Sequence, residues 1–165
     1  MKRKPKEKVF EQLIDQELPK LRAMAYRILN NAADTDDAIQ EALLKAWERY
    51  ESFRNESALS SWVCRIVINC SYDILRKQMK NKNSQCVSQE EPGEDTTTAR
   101  LADDDLRLAI AELPEPYRDA LTLGVLSGMD GRQAARQLEI STNTLYQRIF
   151  KAKQMLKTAL SQEEN

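Results

Sequence analysis

Apolar residues return every three or four positions from residue 10 onward: Phe10, Leu13, Ile14, Leu18, Leu21, Ala25, Ile28 and Leu29 fall on one stripe. That period predicts an amphipathic helix over residues 9–30. Pro19 lies inside it, so the helix either kinks there or divides into two shorter ones, because an interior proline loses a backbone bond and crowds the preceding turn. A second helix is predicted from Asp34 or Thr35, where the run from Asn31 to Asp37 supplies a capping side chain and anions that suit a helix N-terminus. Its stripe is Ile39, Leu43, Ala46, Trp47 and Tyr50. A third, over residues 58–79, carries Trp62, Ile66 and Ile74 along one side. Together they predict a small helical bundle.

Further along, residues 106–113 and 117–126 read as two helices separated by Pro114 and Pro116. Residues 130–138, a link of Glu139, Ile140 and Ser141, and residues 142–160 then have the lengths of a helix-turn-helix. Ala134 and Ala135 are small where the two helices must approach. Leu138, Ile140, Leu145 and Ile149 supply the apolar lock, which leaves Thr144, Tyr146, Gln147, Arg148 and Lys151 free to face a major groove. Arg148, Lys151, Lys153 and Lys157 suit phosphates, and Gln147 suits an adenine edge.

Charge divides the chain at the same places. The net charge is only −1, yet residues 1–8 carry five cations against Glu7. Arg65, Arg76, Lys77, Lys80 and Lys82 face only Asp73, and six cations over residues 132–157 face only Glu139. Between these basic stretches lie Glu90, Glu91, Glu94, Asp95, Asp103, Asp104 and Asp105, with Pro92, Gly93 and three threonines and no apolar period. The expected fold is therefore all-α: a basic tail at 1–8, a helical bundle at 9–83, a flexible acidic linker at 84–105 and a four-helix domain with the helix-turn-helix at 106–162. Two basic lobes on one tether suit a polyanion contacted at two places, whereas basic helix faces are also ordinary solvated surface.

Composition removes most alternatives. With 41% hydrophobic and 31% charged residues in 165, the chain has a core for one or two small domains, and no apolar run approaches the ~20 residues of a membrane helix. Histidine is absent, and four glycines cannot form a phosphate-cradling loop. Cys64, Cys70 and Cys86 lack paired spacing and a basic partner, so they read as reduced, small apolar side chains, with no metal, no cofactor and no catalytic role. A basic start followed by an amphipathic stretch argues against secretion and for the cytoplasm.

Asp37, Gln40, Glu41 and Leu44 share one helix face, and the string DTDDAIQEALLKAWERYESF followed by SALSSWVCRIVINCSYDILRK resembles region 2 of bacterial sigma factors, most closely the extracytoplasmic-function subfamily. The resemblance implies that Asp37, Gln40, Glu41, Leu44 and Trp47 dock on the β′ coiled coil of core RNA polymerase. It also implies that Phe53, Arg54, Asn55, Glu56, Ser57, Asn69 and Asp73 capture unpaired bases of the −10 promoter element. Stacking, cationic and amide contacts from such a loop suit a flipped base. Trp62, among Val63 and Ile66, is assigned to packing. Asn69 sits in an apolar stretch and must find partners if buried.

The stretch from Ala109 to Leu156 resembles sigma region 4, whose last helix reads the −35 element. By position, Tyr146, Gln147, Phe150 and Lys151 are implied base contacts; Arg148 and Lys153 fall to phosphates, and Asn143 and Thr144 open the same helix. Glu139 stands where that family usually has glycine, and a left-handed backbone there costs about 1 kcal/mol for a residue with a Cβ. Gly131, Arg132 and Gln133 replace an aromatic and two acids, and Asn143 and Gln147 replace small residues. The implied function is a sigma factor that binds core polymerase through β′ and β and directs initiation at promoter DNA, restrained by an anti-sigma factor, with no membrane insertion of its own. The alternative is a helix-turn-helix adaptor that binds polymerase or DNA without initiating.

Overall fold

The computed structural model describes residues 5–53, 58–84 and 94–163, and every regular element among them is helical. Helix α1 (Lys6–Leu29) runs unbroken through Pro19. Both Pro19 and Asp15, whose carbonyl loses its partner, are exposed, so water replaces the missing bond. The helix ends on Asn30 in a left-handed conformation at φ 51°, the position at which asparagine is the best tolerated residue after glycine. Helix α2 (Ala32–Arg49) starts two residues before the expected Asp34, because the Asn31 side chain accepts the Asp34 N–H at 3.0 Å and so fixes the cap upstream. A short 3-10 turn (Tyr50–Ser52) follows it.

Helix α3 (Leu59–Ser84) is longer than its apolar stripe predicted. Val63, Val67, Ile68 and Leu75 are fully enclosed along it, with α1 and α2 on one side. Its other side carries the C-terminal lobe. Residues 85–93 of the expected linker lie outside the described residues, and α4 (Glu94–Ala111) begins within it, so its closing aspartates stand on a helix. Asp104 there meets Lys82 of α3 at 3.4 Å and Arg107 at 3.5 Å.

Pro114 precedes α5 (Glu115–Leu121), which widens into a π-turn over Thr122–Leu126. Helices α6 (Gly131–Leu138) and α7 (Thr142–Glu163) form the expected helix-turn-helix. Asp130 and Gln133 make a reciprocal capping box at the start of α6. Leu145, Ile149, Ala152 and Leu156 of α7 are buried with Leu121, Leu123 and Leu138, and the buried apolar residues of the two lobes form one continuous cluster. No described helix is long and apolar enough to cross a membrane.

The enclosed position of Ile68 sets a stability test. Ile68→Ala is expected to cost about 2–5 kcal/mol in urea denaturation, whereas Leu44→Ala, at an exposed position of α2, should stay within about 0.5 kcal/mol.

Candidate polymerase and nucleic-acid interfaces

Helix α2 divides cleanly. Ala38, Ile39, Ala42 and Ala46 are buried against the bundle, and small residues there let α2 approach closely. The opposite side presents Asp37, Gln40 and Glu41, with Leu44 61% and Trp47 37% exposed. Leu44 and Trp47 thus put apolar area on an outward, otherwise acidic and polar face. Glu41 is held by Lys45 at 2.6 Å, and that hydrogen bond raises the lysine pKa, which burial opposes. Trp47 is braced edge-on by Phe10 at 5.1 Å and covered by the Lys6 ammonium 4.3 Å above its ring. Lys6, expected in the tail, is therefore part of the first helix and of this face.

The second group of predicted residues begins where α2 ends. Phe53 lies between Tyr50 at 6.4 Å and Trp62 at 5.1 Å, so an aromatic row leads to the start of α3. Trp62 is half-buried in that row and serves packing. Arg54, Asn55, Glu56 and Ser57 lie outside the described residues. Asn69 and Asp73, one turn apart on α3, point away from the α1–α2 side: Asp73 pairs with Arg76 at 2.9 Å, and the Asn69 amide oxygen accepts from Arg118 of α5.

Arg118 and its neighbour Asp119 form a buried ion pair that the sequence did not single out. They are 5% and 4% exposed, and the Asp119 carboxylate accepts from both Nε and Nη2 of Arg118 at 3.2 and 3.0 Å. Burial pushes the Asp119 carboxyl up to about 6, against the pull of the guanidinium. Beside them the Tyr72 hydroxyl and Thr122 Oγ1 are 2.7 Å apart, and burial raises the tyrosine pKa as well. Nothing in the helical period singles out this buried polar group, since an Arg-Asp pair on a short helix reads as surface. Cys64, pushed up to about 12 by burial, and Cys70 are enclosed free thiols; Cys86 lies outside the described residues.

On α7 the third group separates by face. Tyr146 and Phe150 are 57% and 64% exposed, one turn apart, with Asn143, Gln147, Lys151 and Lys153 also in water. Thr144 is half-buried at the helix start, where Ser141 Oγ caps its N–H at 3.0 Å. Arg148 is also half-buried and lines a cleft with Arg65, Asp119 and Glu139, turned away from the aromatic face. The Tyr146 phenol rests on the start of α6, where a Cβ on Gly131 would push it aside.

A half-exposed acidic and apolar helix in one lobe and an outward aromatic and basic last helix in the other stand in the order read from the sequence. The family described as Sigma-70 region 2 matches residues 13–81, and Sigma-70, region 4 matches residues 103–156. The chain is 30% identical over 148 residues to the ECF RNA polymerase sigma factor EcfG of Rhodopseudomonas palustris, covering 87% of this chain and 80% of that protein. It belongs to the extracytoplasmic-function sigma factors. RNA polymerase sigma factor SigV of Bacillus subtilis is 28% identical over 144 residues, covering 86% and 84% of the two chains. Among solved structures, the sigma factor RpoE from Bartonella quintana, in complex with the anti-sigma factor NepR, superposes with a TM-score of 0.52 at 27% identity, covering 93% of this chain and 98% of that one.

In this sigma factor the buried carboxyl yields a pH test. Asp119 has an ordinary value of 3.8 and a folded value of about 6, so the folded chain holds its proton more tightly than the unfolded one. Stabilisation by that proton is complete below the ordinary value and is lost as pH rises through about 6. Between pH ~4.5 and ~7 the wild type should lose about 2 kcal/mol of unfolding free energy through this group. Asp119→Asn should lack that slope in urea titrations and should be at least as stable as the wild type at pH ~7, because the folded state already favours the neutral side chain there.

Proposed function

We propose that this sigma factor directs transcription initiation by gripping core RNA polymerase through the outer face of α2 and by reading the promoter at two places. Asp37, Gln40, Glu41, Leu44 and Trp47 form the polymerase surface on β′. Phe53, Arg54, Asn55, Glu56, Ser57, Asn69 and Asp73 capture the −10 strand, and the outer face of α7 enters the major groove at the −35 element. The observation that supports the reading is the pairing, on one chain, of an exposed Leu44–Trp47 face with an exposed Tyr146–Phe150 face.

The −35 face has its own chemistry. Phe150 suits a thymine methyl and Gln147 an adenine edge, while Asn143, Tyr146 and Lys151 flank them and Lys153 meets phosphate. Arg148 reaches phosphate only after leaving its cleft. None of this requires bond chemistry in the protein, which acts as a specificity subunit rather than an enzyme, in the cytoplasm where polymerase works. An anti-sigma factor is the expected restraint, since the similar Bartonella protein was solved with one.

Run-off transcription with core polymerase and a library of upstream sequences tests the reading. The wild type should enrich two elements at fixed spacing; enrichment of nothing would identify an adaptor instead. Leu44→Asp should lower core-polymerase affinity by about 30-fold or more while leaving the helical fold intact by circular dichroism. Gln147→Ala should relax preference at one −35 position with a loss of about 5- to 100-fold, whereas Lys153→Ala should weaken all sequences alike and reduce the salt slope by about one.

A further inference from the structure

Gly131, the first residue of α6, does not use the backbone freedom of glycine, since the positive φ among the described glycines falls on Gly128. In an ordinary helical conformation a glycine only forgoes the propensity that alanine would bring. What it supplies here is room. The Tyr146 phenol of α7 lies on it, and a Cβ at that place would stand 2.9 Å from Tyr146 Cζ and closer still to the hydroxyl. The start of α6 cannot step back to make space. Its turn is held by the capping box, in which the Gln133 N–H donates to Asp130 Oδ1 at 2.9 Å and the Asp130 N–H donates to Gln133 Oε1 at 3.4 Å. Ala134 and Ala135 behind it are buried. The group that yields to a Cβ is therefore the tyrosine ring.

Tyr146 is the fifth residue of α7, and a helical side chain leans toward the N-terminus of its own helix. The ring is supported on one side by Gly131 and open on the other, with 57% of the residue exposed on the same face as Phe150. We propose that Gly131, which lies outside α7, is a specificity-determining residue for −35 reading: by lacking a Cβ it makes the berth that fixes the Tyr146 ring against α6 before DNA arrives. It is a positioning residue, because it acts through the tyrosine. A ring already settled in one rotamer has little freedom left to lose on binding and offers the same surface to the groove each time. Displaced by a Cβ, it takes another rotamer and offers a different one. The specificity role rests on the promoter reading given above; the berth does not.

Gly131→Ala in the full chain tests it. Alanine suits the start of a helix, so the urea midpoint should stay close to that of the wild type. A nuclear Overhauser contact between the Gly131 Hα protons and the Tyr146 ring should be present in the wild type, persist in Tyr146→Phe, and fade in Gly131→Ala. In the run-off selection with core polymerase, Gly131→Ala should alter preference by about fivefold or more at the −35 position that Tyr146→Ala also alters. The −10 preference and core-polymerase affinity should be those of the wild type. Added to Tyr146→Ala, Gly131→Ala should change nothing further, because the ring it acts through is gone. Absence of the ring contact in the wild type would overturn the berth. With the contact present, selection of the wild-type −35 element by Gly131→Ala would overturn the specificity role. An effect of Gly131→Ala that is equal with and without the tyrosine would overturn it too, since the change would then lie in α6 itself. A wild type that selects no −35 element would remove the promoter reading and the specificity role with it, and the ring contact would decide the berth alone.

Discussion

A helix C-terminus leaves carbonyls that nothing inside the helix can satisfy, and in this protein the two lobes are joined by meeting that need for one another. Arg65 of α3 donates to Leu138 at the end of α6, and Arg76 of α3 donates to Ala111 at the end of α4. In the opposite direction Arg107 of α4 reaches Ile28 at the end of α1 at 2.6 Å, and Arg27 of α1 reaches Leu126 at the end of the π-turn at 2.8 Å. Each bond places a delocalised cation at the negative end of a helix dipole. Four such bonds in both directions fix the orientation of one lobe on the other more tightly than apolar contact, which has no direction.

The character of the junction also decides what it can do. Its core is continuous with both lobes, but the contacts that set its geometry are arginine to carbonyl, glutamate to amide and tyrosine to threonine. Groups of this kind find replacement partners in water or on a polyanion, so parting them adds less than parting the continuous apolar core beneath them. The open cleft of about 470 Å³ between Leu21 and Met24 of α1, Cys64 of α3 and Met129 and Gln137 of the other lobe shows that the lobes do not interlock everywhere. Arg118 and Asp119 are the costly element, a buried ion pair that holds its place because Asn69 and Tyr72 share the guanidinium.

Much of this was legible in the sequence because helices announce themselves by period and by caps. The stripe from Phe10 to Leu29, the Asn31 cap and the lengths on either side of Glu139 gave the elements to within a few residues. The faces of α2 and α7 followed from the same period, since what is not on the apolar stripe must face out. Three things were not legible. Pro19 survives inside α1 because its orphaned carbonyl faces solvent, which a linear pattern cannot show. The start of α4 inside an acidic stretch escaped because that stretch has no apolar stripe; its final turns gain partners, Lys82 among them, only from the fold. The Arg118–Asp119 pair escaped because burial of charge is a tertiary event. Glu139 left a visible trace, an acid at a place where the backbone asks for glycine, but its partner, the Ala58 amide, stands 81 positions away in sequence.

That trace carries a general point about strained positions. A left-handed residue with a Cβ costs about 1 kcal/mol, and the Schellman bonds around Glu139, from its own N–H to Arg136 and from Ile140 to Ala135, form with any residue there. The local turn therefore gains nothing from glutamate. Among the described residues the carboxylate's polar contacts lie in the other lobe, with the Ala58 N–H and Arg65. Hydrogen bonds to charged groups contribute about 1.5–3 kcal/mol, enough to offset the strain. Without the Ala58 contact the strain would stand uncompensated, and the turn would sit higher in energy than a glycine turn.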